Sequence, residues 1–216
     1  MSRDTCLEAI REDKLVAILR GVEIEDIEGV LTSLIKGGIH VLEFTIDHDH
    51  LDCVAENCRK ISRAKEIFGD QVIIGSGSVI SLSECMEVVA AGAQHIVSPN
   101  VDTKVIEYTI NHGIVSMPGA LTPSECVAAY LAGADFVKLF PAGEMGLNYV
   151  KAIMAPLCHI PFLAVGGINT DNVKNYLNIG VKGFGIGSHL IDKQAIREKD
   201  WAKIETKTKL FFAAML

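Results

Sequence analysis

Two charged residues interrupt apolar segments of the chain: Lys138 lies in 135–140 (DFVKLF) and Glu43 lies in 41–45 (VLEFT). Burial disfavours an ammonium ion and lowers its pKa, and the resulting free amine can attack a carbonyl carbon to form an imine. Burial raises the pKa of a carboxyl group, so that it can accept and donate protons near neutral pH. The pair predicts carbon–carbon bond chemistry beside a carbonyl group. The structural alternatives are a buried ion pair, or a lysine whose amine reaches solvent.

Two glycine-rich segments follow later apolar runs, at 165–169 (VGGIN) and 185–188 (GIGS). Glycines at these positions serve either tight turns or the binding of an anion by backbone N–H groups. The loops after strands 7 and 8 of a parallel barrel commonly bind phosphate, and this placement favours a phosphate site. A third segment, 75–78 (GSGS), lacks the third glycine of a dinucleotide motif and is interpreted as a substrate-facing loop.

The elements that must position these residues follow from short apolar runs separated by helix-patterned stretches. Most runs are continuously apolar, as expected for parallel strands covered on both faces. The eight runs are 15–19, 40–46, 71–74, 95–97, 114–117, 135–140, 162–165 and 183–186. Eight strand–helix units in 216 residues predict an α/β fold, a single-domain (β/α)8 TIM barrel over residues 1–216.

Helix ends support the same repeat. Glycines that would close helices in a left-handed conformation occur at Gly37-Gly38, Gly92, Gly133 and Gly180. Capping boxes begin at Ser81 and Thr122. We expect an extra N-terminal helix over 4–12, and a final helix with Trp201, Ile204, Phe211 and Met215 on one face.

Composition excludes several classes of protein. The chain has 20 basic and 27 acidic residues, a formal charge of −7, which argues against a nucleic-acid binder. No uncharged apolar stretch reaches about 18 residues, so no membrane span is predicted. The six cysteines form no C-x-x-C pair and are expected to be reduced, and we expect a cytoplasmic protein.

A metal site is not predicted. The run 47–50 (DHDH) contains ligand types for a divalent ion, but adjacent side chains point in different directions and no second cluster is evident. Its alternative interpretation is a solvated loop. The remaining histidines, His95 among them, are expected at element edges or in loops.

With these residues in view, the chain resembles the 2-dehydro-3-deoxy-phosphogluconate/4-hydroxy-2-oxoglutarate aldolase family from about residue 15 to 190. The resemblance is carried by eight segments in order: LVAILRG, VLEFT, IIGSGSV, AGAQHIVSPN, PGALTPSE, FVKLFPA, AVGGI and GIGSHL. Each segment alone is a weak signal, whereas the ordered set is specific.

The resemblance implies a class I, metal-independent aldolase without a cofactor. It would cleave 2-dehydro-3-deoxy-6-phosphogluconate or -galactonate to pyruvate and glyceraldehyde 3-phosphate, or 4-hydroxy-2-oxoglutarate to pyruvate and glyoxylate. Lys138 would form the imine and Glu43 would relay protons. Further residues implied in the site are Thr45, Ser78 (threonine in the family), Pro99 and Phe140 around the substrate, and Gly166, Gly167, Gly187 and Ser188 around the phosphate. The family is typically a homotrimer.

One position departs from the family. Many members have an arginine four residues after the glutamate, where this chain has Asp47, and a carboxylate cannot replace a guanidinium in binding an anion. Arg20, at the end of the first strand, is the best substitute. Two other functions stay open: a phosphate-binding isomerase or epimerase, and a non-catalytic binding barrel.

Overall fold

The computed structural model describes residues 2–216. The strands are β1 (Leu15–Leu19), β2 (Val41–Thr45), β3 (Ile73–Gly77), β4 (His95–Val97), β5 (Val115–Met117), β6 (Gly119–Ala120), β7 (Val137–Leu139), β8 (Phe162–Val165) and β9 (Gly183–Ile186). The helices are α1 (Arg3–Asp13), α2 (Ile27–Gly37), α3 (Cys53–Phe68), α4 (Leu82–Ala90), α5 (Thr103–Asn111), α6 (Pro123–Leu131), α7 (Ala142–Met145), α8 (Leu147–Met154), α9 (Val173–Asn178), α10 (Lys193–Arg197) and α11 (Trp201–Met215). None of these helices is long and apolar enough to cross a membrane.

All nine strands are parallel, in the order β5-β4-β3-β2-β1-β9-β8-β7-β6. The two end strands, β5 and β6, are consecutive pieces of one chain segment separated by Pro118, which has no N–H to donate. Because β5 pairs with β4 and β6 pairs with β7, this one segment joins the two ends of the sheet. The predicted (β/α)8 barrel is therefore confirmed, with its fifth strand in two pieces.

The amino-terminal end of the barrel is closed by α1. The side chains of Cys6, Leu7 and Ile10 pack into an inner apolar cluster with strand residues such as Val16 and Phe136. A larger apolar cluster fills the space between the outside of the sheet and the surrounding helices. The N-terminal helix predicted over 4–12 is thus present. Because it covers the amino-terminal end of the barrel, a functional site is expected at the opposite end, where the strands have their carboxyl ends.

The predicted helix ends are confirmed. Gly38, Gly92, Gly133 and Gly180 have φ of 103°, 100°, 98° and 98°, in the left-handed region that a helix-closing glycine supplies. Both capping boxes form, Ser81 with Glu84 and Thr122 with Glu125.

One expectation about the third strand is wrong. The segment 75–77 is part of β3 and not a loop, and only Ser78 lies beyond the strand. His95 begins β4, at an element edge as expected, but it is also fully buried: a Cβ on Gly75 would meet its imidazole ring at 2.2 Å. Gly75 and Gly77 interrupt the apolar run of β3. They have no side chains and so leave space inside the barrel for His95 and Glu43.

A buried polar contact fixes the outer side of β2. Asn57 on α3 donates from Nδ2 to the carbonyl oxygen of Phe44 at 2.9 Å, and its Oδ1 accepts from the Ser76 hydroxyl at 2.9 Å. Phe44 directly follows Glu43, so this contact holds the strand that carries the buried carboxyl group.

Replacing Asn57 tests this contact. Asn57→Ala removes both hydrogen bonds and leaves the buried Ser76 hydroxyl without its acceptor, which is expected to lower the free energy of unfolding by roughly 1–3 kcal/mol. Asn148→Ala, at an exposed position on α8 without a side-chain hydrogen bond to residues 2–216, is the control. Urea unfolding that found equal stability for the two variants would contradict the assignment.

Candidate active site

A cavity of about 770 Å³ opens at the carboxyl-terminal end of the barrel. Every residue that the sequence placed in a site lies on its wall: Arg20, Glu43, Thr45, Ser78, Pro99, Lys138, Phe140, Gly166, Gly167, Gly187 and Ser188. They come from seven different strands or the loops that follow them. The structure therefore brings the predicted site residues together, while their individual roles stay predictions.

Lys138 and Glu43 lie deep in this cavity, on β7 and β2, with exposed fractions of 8% and 2%. Burial lowers the pKa of Lys138, against the opposing effect of the Glu43 carboxylate, and Arg20 lowers it further. Burial also raises the pKa of Glu43 to about 7, although Lys138 and Arg20 act in the opposite direction. An amine whose pKa is lowered and a carboxyl group whose pKa is about 7 can together carry out imine formation and proton transfer.

Glycine in β3 makes the room that Glu43 occupies. A Cβ on Gly77 would lie 2.4 Å from Oε1 of Glu43, so any side chain there would displace the carboxyl group. The ammonium group of Lys138 lies 5.0 Å from the centre of the Phe140 ring, within the range of a cation–π contact. Glu43 thus packs against a glycine of β3, and Lys138 packs against an aromatic ring.

The mouth of the cavity holds an ion pair that the sequence did not predict. Arg20 donates from Nη1 to Oδ1 of Asp47 at 2.6 Å and from Nη2 to the Ser78 hydroxyl at 3.0 Å. Ser78 has φ of 61°, a left-handed conformation unusual for a residue with a Cβ. Asp47, where the resemblance had implied an arginine, is therefore the ion-pair partner of Arg20.

The hydroxyl of Thr45 is buried on the cavity wall and has no hydrogen-bond partner among residues 2–216. A buried polar atom without a partner is costly, and one that faces a cavity is suited to bind a ligand atom. Thr45 lies two residues after Glu43, so the two side chains point to the same side of β2.

The glycines after β8 and β9 form the other end of the cavity. Gly166 and Gly167 have φ of 85° and 69°, and Gly143 packs directly against them, donating its N–H to the Gly166 carbonyl oxygen at 2.7 Å. Within residues 2–216, the N–H groups of Gly166, Gly167, Gly187 and Ser188 donate to no protein oxygen. Four backbone donors at one end of a cavity can bind an anion.

The part of the chain that the structure describes has no cluster of three or more His, Cys, Asp or Glu side chains able to hold a metal ion. In the DHDH run, His48 contacts Glu84 at 3.2 Å and His50 contacts Asp49 at 2.7 Å. These side chains form separate contacts in the loop before α3.

Sequence reasoning missed several residues of the cavity wall, which come from the segment after β9. His189, Asp192, Lys193 and Gln194 line the cavity, together with Lys207 from α11. Their only sequence signal was their position after the eighth apolar run, where a barrel loop can reach its mouth.

Comparison with known proteins identifies relatives of this chain. The family model described as KDPG and KHG aldolase matches residues 7–207, where KDPG denotes 2-dehydro-3-deoxy-phosphogluconate and KHG denotes 4-hydroxy-2-oxoglutarate. A protein of Rhizobium meliloti named "Probable 2-dehydro-3-deoxy-6-phosphogalactonate aldolase" is 36% identical over 83% of this chain and 82% of its own length. The 2-dehydro-3-deoxy-6-phosphogalactonate aldolase of Escherichia coli is 30% identical over 82% of this chain and 83% of its own.

Solved structures agree with the sequence relatives. The KDPG aldolase of Legionella pneumophila, whose crystal structure holds pyruvate captured as a covalent carbinolamine intermediate, superimposes with a TM-score of 0.83. It is 28% identical to this chain, and the match covers 94% of this chain and 96% of that one. The match of the family model over most of the chain, together with these relatives, shows that the chain belongs to the KDPG and KHG aldolase family.

Proposed function

We propose that the protein is a class I aldolase that cleaves a 2-oxo-3-deoxy sugar acid 6-phosphate to pyruvate and glyceraldehyde 3-phosphate. Cleavage of 4-hydroxy-2-oxoglutarate to pyruvate and glyoxylate is the related reaction of a shorter substrate. The observation that carries the proposal is the burial of Lys138 and Glu43 in one cavity of a barrel that belongs to an aldolase family.

Lys138 forms the imine. Its neutral amine attacks the C2 carbonyl carbon of the substrate to give a carbinolamine, and loss of water leaves a protonated imine between Nζ and C2. Burial supports this role because it lowers the pKa of the amine and so raises the fraction in the nucleophilic form. The carbinolamine in the Legionella pneumophila aldolase is the same kind of intermediate in a relative.

Glu43 moves the proton. As a carboxylate it takes the proton of the C4 hydroxyl, through a water molecule, while the C3–C4 electron pair moves into the imine. The aldehyde leaves, and the enamine of pyruvate is then protonated at C3 before hydrolysis frees Lys138. A pKa of about 7 suits a group that must accept a proton in one step and return it in another.

The two ends of the cavity fit the two ends of such a substrate. The free N–H groups of the glycine loops bind the phosphate, with the Ser188 hydroxyl beside them. Arg20 binds the carboxylate at the other end, with Ser78 and Thr45 contacting the pyruvyl part, and Pro99 and Phe140 enclose it. The gluconate and galactonate configurations are both candidates, since relatives named for each match the chain.

Neither alternative function accounts for the buried lysine. An isomerase or epimerase needs strand-end acids and bases but no free amine in β7, and a binding barrel needs neither Lys138 nor Glu43.

Cytoplasmic location and a homotrimer also belong to the proposal. Apolar side chains exposed on α6, with Leu131 exposed to 77%, support association between copies of the chain.

Trapping with pyruvate tests the proposal. Incubation with pyruvate and EDTA, followed by borohydride reduction, is expected to add a pyruvyl group to Lys138, located by peptide mass spectrometry. Lys138→Met is expected to yield no adduct. Lys182→Met, at an exposed position next to the amino-terminal end of β9, is expected to behave like wild type. Folded wild-type protein that forms no adduct would overturn the proposal.

The same assay separates the roles of the two buried groups. Glu43→Gln is expected to keep the pyruvyl adduct, because Lys138 is still present, and to lose about 10²–10⁴-fold in the rate of cleavage, as for removal of a general acid–base group. Equal cleavage rates for wild type and Glu43→Gln would remove Glu43 from the reaction.

Arg20 has its own test. Arg20→Ala is expected to raise KM for the oxo acid about tenfold, equivalent to ~1.4 kcal/mol, with little change in kcat, because it removes binding common to substrate and transition state. The double variant with Asp47→Ala, which leaves no unpaired carboxylate at the mouth, is expected to have the same KM. Arg63→Ala, at an exposed position on α3, is the control. Unchanged kinetics in both Arg20 variants would exclude Arg20 from the site.

A further inference from the structure

The cavity wall carries four lysine or arginine side chains. Two of them form ion pairs, Arg20 with Asp47 at 2.6 Å and Lys207 with Asp192 at 2.7 Å, and a third, Lys138, is the amine proposed to form the imine. The fourth cation is Lys193, which has no carboxylate within salt-bridge distance in residues 2–216. One positive charge on the wall is therefore free to interact with a ligand.

Asp192, the residue before Lys193, does not pair with it, because the Asp192 carboxylate contacts other groups. Asp192 caps α10 through Oδ1, which accepts the N–H groups of Gln194 at 3.0 Å and Ala195 at 3.1 Å. Its Oδ2 lies 3.0 Å from Lys203 and 2.7 Å from Lys207. These contacts fix the start of α10 and leave Lys193 to point elsewhere.

The end of the Lys193 side chain lies next to Gly21, in the loop after β1. Its Nζ lies 3.7 Å from the position that a Cβ would take on Gly21. Gly187 of the glycine loops packs against Ile18 in β1, three residues before Gly21, and its Cβ position is 3.7 Å from Cβ of Ile18. The free ammonium group and the backbone donors after β9 therefore lie on one side of the cavity, next to β1.

We propose that Lys193 determines specificity for a phosphorylated substrate, by adding a full positive charge to the neutral N–H donors that bind the phosphate. This inference rests on the proposed function and concerns the same cavity. Backbone N–H groups bind an anion through partial charges, whereas a phosphate group carries between one and two negative charges near neutral pH. A lysine ammonium is a mobile point charge suited to phosphate, and at this rim it would favour a phosphate ester over an uncharged hydroxyl end.

The test compares two aldehydes in the direction of synthesis from pyruvate. Lys193→Met is expected to raise KM for glyceraldehyde 3-phosphate about tenfold, while kcat and the KM for unphosphorylated glyceraldehyde stay as in wild type. Lys193→Arg is expected to restore most of the affinity, and Lys182→Met serves as the charge-matched control on the opposite end of β9. Equal changes for both aldehydes, or no change for either, would overturn the proposal.

A second measurement does not depend on turnover. Titration calorimetry with inorganic phosphate is expected to show binding to wild type and to Lys182→Met, and at least fivefold weaker binding to Lys193→Met. Equal affinities for the three proteins, or no binding to wild type, would contradict the role of Lys193. Absence of the pyruvyl adduct on wild type would instead count against the proposed aldolase reaction, so the two failures are distinguishable.

Discussion

The burial of a lysine and a glutamate inside an apolar barrel is the constraint on which the rest of this site depends. Removal from water disfavours both charged forms, so the pKa of Lys138 falls and that of Glu43 rises to about 7. Their mutual attraction opposes both shifts, but burial has the larger effect on each group. The amine is thereby brought toward its nucleophilic form, and the carboxyl group is poised to exchange protons near neutral pH. Neither property belongs to a lysine or a glutamate on a protein surface.

Residues of the surrounding barrel hold Glu43 and its strand in place. Gly77 in β3 has no side chain, and the Glu43 carboxyl group occupies the space that a side chain there would need. Asn57 holds β2 from the outside through the Phe44 carbonyl oxygen. At the mouth, Arg20 pairs with Asp47, and the glycine loops after β8 and β9 carry backbone N–H groups that have no protein acceptor within residues 2–216. A substrate with a carboxylate at one end and a phosphate at the other would span these features.

The sequence predicted the barrel because its strands are continuous apolar runs whose spacing repeats, and it predicted Lys138 and Glu43 because a charge inside such a run is conspicuous. It failed where side-chain size decided the structure. The glycines of β3 have no side chain to mark them as a strand, and the burial of His95 depends on Gly75 from a neighbouring strand. The sequence also did not predict contacts between residues that are far apart along the chain. Arg20 and Asp47 are separated along the chain, and only the pairing of β1 with β2 brings them together.

The most direct test of this account is a titration of the Glu43 carboxyl group by carbon NMR, with Glu43→Gln used to assign the signal. The account predicts a midpoint at about 7 in wild type. It also predicts a higher midpoint in Lys138→Met, because the lysine charge that favours the carboxylate is lost. A midpoint near 4.5, the ordinary value for glutamate, would contradict the claim that burial sets the chemistry of this site.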